Sequence, residues 1–545
     1  MMKGQNSEER ARLGTVVSGS LNRGVEVKLD ASVSVEDMAV GRYVAIEGEK
    51  RRFFGMITDV SLETIDPRAA ITPPDISDPF IAQVITGTTT YGKLRVLPML
   101  TIGGDAASIL EGPQPAKTVP THFSEVKLAS QRDVELVFGA EDEKRFYVGT
   151  PLDMETRVCL NVSEFVKRSN GVFGKSGTGK TFLTRLLLIG MLQKQVAVSL
   201  VFDMHSEYGW EGKTEKGYKV KGLKQLFPSK VAIFTLDEES SRRRKVSTDV
   251  VVRIGYDEIE PEDIELLRQT LNLTEASTQA VYQLAREFGD RKWLETVLNL
   301  TEDASKQLIS RLNIHDSTYR NLWRGLENLR RFSFLIPRAP DNSVRRILEY
   351  LDRGINVILE FGRFEDFAAY ILVANLLSRR IHVKYRENAE REMGGEVAPS
   401  HPLVITIEEA HRFLNSEVSA RTIFGRIARE MRKYNVTLLV IDQRPSGIDG
   451  EVMSQLGTKI TCLLDDERDI DSVLTGAAGK SELKSVLSKL ETKQQALIFG
   501  HAVPMPVVIK TREYGSAQSY KELGFLEAAE LKRKTEKDIE DLWGS

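Results

Sequence analysis

Residues 174–181 are Gly174-Lys175-Ser176-Gly177-Thr178-Gly179-Lys180-Thr181. They fit the phosphate-binding pattern G-x-x-x-x-G-K-[ST], and their flanks suit that pattern. A short extended segment, 171–173, comes before them, and an apolar segment without helix breakers, 182–189, comes after them. A strand, a glycine loop and a helix in this order point backbone N–H groups and the positive end of a helix dipole at an anion. The stretch therefore predicts a P-loop that binds a nucleoside triphosphate.

The roles of single residues follow from the chemistry of this loop. Lys180 is expected to bind the β- and γ-phosphates of ATP, and the hydroxyl of Thr181 is expected to ligate Mg²⁺. The residues expected to contact the nucleotide are Gly174, Ser176, Gly177, Thr178, Gly179, Lys180, Thr181 and Phe182.

The composition is that of an ordinary protein with several domains. A chain of 545 residues is too long for one hydrophobic core. Its 75 basic and 78 acidic residues leave a net charge of −3, so any surface for nucleic acid must be local. Cys159 and Cys462, both in apolar surroundings, indicate free thiols in a reducing compartment. Because the sequence has no signal peptide and no apolar run of the roughly 20 residues that a membrane span needs, we expect a cytoplasmic protein without membrane insertion.

Residues 1–110 predict a small β-barrel, because short alternating apolar runs recur between turn residues. Nothing in this part suggests a catalytic site, so its expected task is assembly or the docking of a partner. Residues 111–145, which include several prolines, are expected to connect the barrel to the next domain. The predicted strands cover 14–18, 25–29, 43–47, 53–60, 80–88 and 93–100.

The rest of the chain predicts an α/β domain with a parallel sheet. Residues 196–203, 403–408 and 436–442 are largely apolar runs, which is typical of strands that are buried on both faces. Residues 261–350 instead have helical character. We therefore expect a RecA-like P-loop ATPase core over 146–260 and 351–515, an inserted helical subdomain over 261–350 and a C-terminal helical extension over 516–545.

The first of these strands ends in Asp203, which is followed by His205 and Glu207. Ligands bind beyond the carboxyl ends of parallel strands, so Asp203, His205 and Glu207 are expected near the nucleotide or the loop that senses it. The alternative is a capped turn with exposed charges.

The second strand ends in the paired acids Glu408 and Glu409, which is the layout of a Walker B element. Glu408 is expected to hold the Mg²⁺ with its water shell, and Glu409 to orient or deprotonate the attacking water. Two acids after a strand are weak evidence alone, and the P-loop upstream strengthens it. The third strand leads to Gln443, whose amide suits the sensing of the γ-phosphate.

Arg426, Arg429 and Arg432 are spaced by three along the segment before the third strand. An arginine that completes a neighbouring subunit's active site neutralises the charge that develops on the γ-phosphoryl group. For each of these arginines, a solvated basic stripe is the alternative.

Taken together, these motifs resemble the HerA family of hexameric DNA translocases, which are relatives of the FtsK motors. Besides the P-loop, the resemblance rests on Asp203-x-His205-x-Glu207-Tyr208, Glu409-Ala410-His411 and Gln443-Arg444-Pro445-Ser446. It covers most of the chain and implies that the barrel is a HAS-barrel. It also implies that Arg432 is the arginine that acts in trans. Met431 stands where the family pattern has glycine, so Arg429 remains a rival.

The resemblance implies a homo-hexameric ring that hydrolyses ATP and translocates or unwinds double-stranded DNA in a basic pore. Lys213, Lys216, Lys219 and Lys221 are candidates for a pore loop. The implied partner is a NurA-type nuclease in DNA end processing and repair, or an effector enzyme in phage defence. Two alternatives remain: an ATP-hydrolysing hexameric scaffold of a defence complex, and a conjugation-type secretion ATPase.

Overall fold

The computed structural model describes residues 12–65, 67–71, 75, 77–213, 218–340, 342–364, 366–417, 419, 422–491 and 494–525. The strands are β1 (Arg12–Ser20), β2 (Gly24–Leu29), β3 (Tyr43–Glu47), β4 (Arg51–Thr64), β5 (Thr90–Gly103), β6 (Gln114–Pro115), β7 (Glu125–Leu128), β8 (Arg145–Pro151), β9 (Val158–Asn161), β10 (Asn170–Phe173), β11 (Val198–Asp203), β12 (Gly212–Lys213), β13 (Lys219–Val220), β14 (Val231–Thr235), β15 (Val250–Val251), β16 (Ile254–Gly255), β17 (Leu335–Ile336), β18 (Asn356–Glu360), β19 (Leu403–Glu408), β20 (Val436–Asp442), β21 (Thr458–Thr461), β22 (Gln495–Gly500) and β23 (Val507–Thr511).

The α-helices are α1 (Arg68–Ile71), α2 (Pro79–Thr88), α3 (Ala106–Glu111), α4 (Gln131–Phe138), α5 (Val162–Phe165), α6 (Lys180–Lys194), α7 (Leu223–Leu226), α8 (Glu238–Arg243), α9 (Pro261–Leu266), α10 (Glu275–Phe288), α11 (Trp293–Asn299), α12 (Glu302–Leu312), α13 (Asp316–Glu327), α14 (Ser343–Asp352), α15 (Phe367–Met393), α16 (His411–Leu414), α17 (Ile423–Glu430), α18 (Gly450–Gln455), α19 (Glu467–Val473), α20 (Lys480–Leu487) and α21 (Ala517–Glu522). Short 3₁₀ helices cover Val35–Asp37, Tyr256–Glu258, Asn328–Arg331, Met431–Tyr434 and Pro445–Gly447.

The N-terminal strands form a closed barrel, as predicted. Their order in the sheet is β2-β1-β7-β3-β4-β5-β6, and the pairing of β2 with β5 closes it. Val25, Val27 and Leu29 alternate along β2 into the barrel core. β7 lies between β1 and β3, so the barrel includes residues beyond 110, in the segment predicted as a connection.

One predicted strand of this region is wrong. Residues 80–88 belong to the helix α2, which starts at Pro79 after the N-cap Asp78. The Asp78 carboxylate accepts the N–H of Phe80 at 2.8 Å, and proline at the first helical position suits a helix start. These local starting signals outweigh the β-branched composition of the segment.

The second domain is built on one twelve-stranded sheet, and its α/β fold class is confirmed. The strand order is β15-β14-β18-β11-β19-β20-β10-β21-β22-β23-β8-β9. Every pairing from β15 to β21 is parallel, and the pairings from β21 to β9 are antiparallel. β10 is in the middle of this sheet, between β20 and β21. The carboxyl ends of β10, β11, β19 and β20 therefore meet along one edge.

The helices α9–α13 interrupt this domain between β16 and β17, where a helical insertion was predicted. Pro261 is at the start of α9, as its sequence indicated. α14, which falls within the predicted insertion, instead packs on β11 and β18 of the sheet. At the other end of the chain, α21 is the described part of the predicted C-terminal extension, and residues 526–545 lie outside the described residues.

Among the described helices, none combines the length and the apolarity that crossing a membrane requires. Both Cys159 and Cys462 are buried free thiols, as predicted, and burial raises the pKa of each to about 11.

Candidate nucleotide-binding and catalytic site

Residues 174–181 connect the central strand β10 to the amino end of α6. Gly174 is required by space, because a Cβ at this position would lie 2.8 Å from Cys462 Cβ and 2.8 Å from Thr178 Oγ1. Gly179 has a φ of 97°, in the left-handed region that favours glycine, at the N-cap of α6. The loop therefore has the backbone shape that its sequence predicted.

Two lysines of this loop have different surroundings. Lys180 Nζ donates to the carbonyl of Lys175 at 2.8 Å, and burial lowers the pKa of its ammonium. Lys175 Nζ instead pairs with Asp465 at 2.7 Å. Lys180 is thus the loop lysine whose charge is held inside the site.

A cavity of about 1170 Å³ brings most of the predicted site residues together. Ser176, Gly177, Thr178, Gly179, Lys180, Thr181, Phe182, Glu408, Glu409 and Gln443 all line it. Gly174, Asp203 and Arg432, which were also predicted, are not among its lining residues. The remaining lining residues are Arg185, His205, Ser206, Glu207, Gly212, Tyr218, Lys219, Ile441, Asp442, Gln494, Glu513, Tyr514, Gly515 and Ser516.

Glu408 is a buried residue of the cavity lining. Tyr208 donates from its hydroxyl to Glu408 Oε1 at 2.9 Å, and Oε2 has no hydrogen-bond partner among the described residues. Burial raises the pKa of the Glu408 carboxyl well above its usual range, and the charges of Asp203 and Glu207 raise it further. A buried carboxylate without a cation is costly, so this arrangement favours a positively charged ligand.

These residues fit a magnesium ion. Thr181 Oγ1 donates to Glu207 Oε2 at 2.8 Å, which brings a hydroxyl and a second carboxylate to the same cavity as Glu408. Oxygen ligands of this kind are those that Mg²⁺ prefers at nucleotide phosphates. Thr181 and Glu408 would hold the ion, as the sequence predicted, and Glu207 lies beside them.

Glu409 and Gln443 follow two neighbouring strands, β19 and β20. Gln443 Nε2 donates to Glu409 Oε1 at 2.6 Å. Glu409 has a φ of 48°, which is uncommon for a residue other than glycine and typical of functional turns. The other carboxylate oxygen of Glu409 lies 3.6 Å from Nδ1 of His411, which itself contacts both oxygens of Asp442 at 3.0 Å. The hydrogen bond with Asp442 raises the pKa of His411.

Asp203 caps a turn, as in the alternative that the sequence left open, but its charge is buried and not exposed. Its carboxylate is fully buried and accepts the backbone N–H groups of Glu207 at 2.8 Å, Tyr208 at 2.9 Å and Gly209 at 3.3 Å. The turn carries Glu207 and His205 into the cavity lining. The Asp203 carboxylate therefore holds the turn in shape, and its contact with a nucleotide stays a prediction.

Arg432 lies at the opposite edge of the sheet from the P-loop. It is in the 3₁₀ helix before the amino end of β20, whereas the P-loop follows the carboxyl end of β10, and the two strands are parallel. The seven residues of β20 separate these edges by about 20 Å. Arg432 is exposed, and among the described residues it has no ion-pair partner.

The surroundings of the three arginines differ. Arg429 pairs with Glu451 at 3.2 Å, and Arg426 is exposed on α17. Arg432 instead lies close to Arg168: burial lowers the pKa of the Arg168 guanidinium, and the charge of Arg432 lowers it further. The charge of Glu164 acts on Arg168 in the opposite sense, so an acid is also within electrostatic range of this pair.

Some residues of the site were not identified from the sequence. The D-x-H-x-E-Y motif pointed to the turn, but not to the bond between Tyr208 and Glu408. Lys219, a candidate for DNA contact, lines the nucleotide cavity and pairs with Glu211 at 2.6 Å. Lys216 lies outside the described residues. No sequence signal marked residues 513–516 as part of the cavity.

Comparison with known proteins places these features in a family. Residues 146–381 match the family described as "Helicase HerA, central domain", and residues 13–95 match the "HAS barrel domain". The chain is of the HerA type over these two domains. Its barrel is a HAS-barrel, its second domain is the P-loop ATPase domain of HerA-type proteins, and it is an ATP-hydrolysing enzyme.

Two HerA relatives cover most of the chain, and both are named DNA double-strand break repair helicase HerA. The protein from Pyrococcus furiosus is 27% identical over 408 residues, which are 70% of this chain and 73% of that protein. The protein from Sulfurisphaera tokodaii is 24% identical over 508 residues, which are 92% and 93% of the two chains. Among solved structures, the match with VirB4 of Thermoanaerobacter pseudethanolicus covers 70% of this chain and 100% of VirB4, with a TM-score of 0.46 and 14% identity.

Proposed function

We propose that this HerA-type protein is an ATP-driven motor that translocates along or unwinds double-stranded DNA as a ring of identical subunits, with six as the expected number. The observation that carries the proposal is the placement of Arg432 at the opposite edge of the sheet from the nucleotide cavity. Within one subunit the arginine is too distant to contact a bound nucleotide. In a ring, one subunit's Arg432 edge can face the next subunit's cavity.

The cavity has the groups that ATP hydrolysis needs, apart from this arginine. Lys180 binds the β- and γ-phosphates as a point charge. Glu409 accepts the proton of the attacking water, and Gln443 holds the Glu409 carboxylate in position through the 2.6 Å hydrogen bond. Bound between Thr181 and Glu408, Mg²⁺ would neutralise charge on the phosphates. Arg432 from a neighbour stabilises the charge that develops on the γ-phosphoryl group.

The assignment of DNA as the substrate is supported by the relatives, which are named DNA repair helicases. With a net charge of only −3, the protein needs a local basic surface to hold the phosphate backbone, and the inner face of a ring can provide one.

We propose that a protein partner, either a NurA-type nuclease or a defence effector enzyme, docks on the barrel. The proposed docking surface is the long connection between β4 and β5. Ile65, Ile71 and Phe80 in this region are 60–81% exposed, and large exposed apolar groups mark interaction sites. Phe80→Asp is expected to abolish binding of a NurA-type nuclease in size-exclusion chromatography while ATP turnover is kept. Phe123 is equally exposed, at 76%, but outside this connection, so Phe123→Asp is the matched control.

The motor itself is tested by displacement of a triplex-forming strand from duplex DNA. The wild-type protein is expected to displace the strand only with ATP, and Lys180→Ala is expected to lose both turnover and displacement. Lys175→Ala is the matched control from the same loop, because the Lys175 side chain pairs with Asp465 outside the cavity lining. ATP turnover without any displacement would contradict the motor and favour the scaffold alternative.

A further inference from the structure

A part of the nucleotide cavity is not used by the phosphate, metal or water chemistry. Residues 513–516 of the C-terminal segment line it together with Phe182 and Arg185 of α6. The rings of Phe182 and Tyr514 have centroids 6.1 Å apart and are tilted by 46°. This part of the cavity is thus bordered by aromatic rings and by a buried guanidinium.

Arg185 is a buried cation whose hydrogen bonds are incomplete. It is only 3% exposed, and its Nη2 donates to the carbonyl of Glu207. Nε and Nη1 have no hydrogen-bond partner among the described residues, and no carboxylate there is within ion-pair distance of the guanidinium. Unsatisfied buried N–H groups are costly, so the arrangement favours a ligand that carries hydrogen-bond acceptors.

The position of Arg185 indicates which part of a nucleotide this is. Arg185 follows Thr181 by four residues on α6, so it lies about 6 Å further along the helix axis. Lys180 is assigned to the phosphates, and Thr181 is assigned to the metal ion. The part of the nucleotide that reaches Arg185 is therefore beyond the phosphates, where ribose oxygens and base nitrogens are acceptors.

The C-terminal segment is held in place by hydrogen bonds within the protein. The N–H groups of Gly515 and Ser516 both donate to Ser519 Oγ at 3.0 Å, and the Tyr514 hydroxyl donates to the carbonyl of Lys221. Gly515 has a φ of 109°, and a Cβ there would lie 2.5 Å from Val220 Cγ1. A rigid wall of this kind reduces the entropy that binding must overcome.

We infer that Arg185, Phe182 and residues 513–516 form the subsite for the nucleoside, with the base against the aromatic rings and Arg185 donating to ribose or base acceptors. The inference rests on nucleotide binding at the P-loop. It assigns the C-terminal segment to the substrate site of the same subunit.

The test compares ATP with inorganic tripolyphosphate, which has the phosphates but no nucleoside, in calorimetric titrations with Mg²⁺. The wild-type protein is expected to bind ATP at least about tenfold more tightly, because hydrogen bonds to a charged group contribute on this order. Arg185→Gln is expected to lose about tenfold in ATP affinity and to bind tripolyphosphate as the wild type does. Phe182→Ala is a second variant with the same expectation, at a residue that is only partly buried.

Arg512→Gln is the matched control. Arg512 is also buried, at 6% exposure. It lies over the rings of Phe146 and Tyr147, as Arg185 lies over those of Phe182 and Tyr514, but it does not line the cavity. Equal wild-type affinity for the two ligands would overturn the subsite. The subsite would also be overturned if Arg185→Gln and Phe182→Ala lost affinity equally for both ligands, or lost affinity for neither. Lys180→Ala distinguishes failure of the nucleoside subsite from failure of nucleotide binding at the P-loop. If this variant binds both ligands like the wild type, the P-loop assignment itself fails.

Discussion

Gln443 Nε2 donates a hydrogen bond to Glu409 Oε1 across 2.6 Å and so joins the residues that follow two adjacent strands, β19 and β20. This bond holds the carboxylate that we propose as the base. It also connects that base to the strand that begins just after Arg432. One strand, β20, therefore has Arg432 before its first residue and Gln443 after its last.

The first prediction concerns this pair. Glu409→Gln is expected to bind ATP normally and to lower turnover by about 10² to 10⁴, because the amide keeps the packing and cannot take a proton. Gln443→Ala is expected to lower turnover roughly tenfold to a hundredfold with ATP affinity kept, because the carboxylate loses its donor. Gln494→Ala, at another glutamine of the same cavity, is the control and should change little. Loss of ATP binding in Glu409→Gln would show that Glu409 is structural.

The second prediction concerns the metal. Thr181→Ala is expected to raise the Mg²⁺ concentration for half-maximal ATP turnover by roughly 10- to 100-fold, because a ligand oxygen is lost. Thr181→Ser keeps the hydroxyl that bonds to Glu207 and is expected to behave like the wild type. An unchanged Mg²⁺ dependence in Thr181→Ala would exclude Thr181 as a ligand.

The third prediction tests donation of Arg432 between subunits. Arg432→Ala should keep ATP binding and lose turnover by a factor on the order of 10³ or more. When it is mixed with Lys180→Ala, some interfaces combine an intact P-loop with an intact arginine, and turnover should reappear. Arg426→Ala, at an exposed arginine on the preceding helix, is the control. Normal turnover by Arg432→Ala would refute the assignment and direct the same experiment to Arg429.

The fourth prediction concerns Lys459 on β21, next to the P-loop strand. Burial lowers the pKa of its ammonium from 10.5 to about 8, although Nζ donates to the carbonyls of Val473 and Thr475. Below about pH 8 the group is charged in both states and its burial destabilises the fold. Between about pH 8 and 10.5 the folded state has lost the proton and unfolding takes it up, so stability should rise with pH.

Lys459→Met should lack this rise in the midpoint of urea unfolding, while Lys510→Met, at an exposed lysine of β23, should keep it. A rise of the same size in Lys459→Met would assign the pH dependence to other groups.

The sequence by itself determined those parts of the site that depend on contiguous residues. A P-loop binds phosphate mainly through backbone N–H groups whose geometry belongs to eight consecutive residues, 174–181, so the pattern is sufficient to predict it. The strands β11, β19 and β20 were also predictable, because burial on both faces demands apolar runs that stand out along the chain. The acids and the amide that follow these strands then had to lie at one edge.

Only the tertiary structure decided which side chains meet across the sheet. Asp203 could contact a nucleotide or cap a turn on its sequence alone, and the fold buries it in the turn. Tyr208 and Glu408 are 200 residues apart, and residues 513–516 reach the cavity from the far end of the chain. Such contacts depend on the order in which strands are arranged in the sheet. That order is set by the packing of the whole domain, and the pattern of any one segment does not contain it.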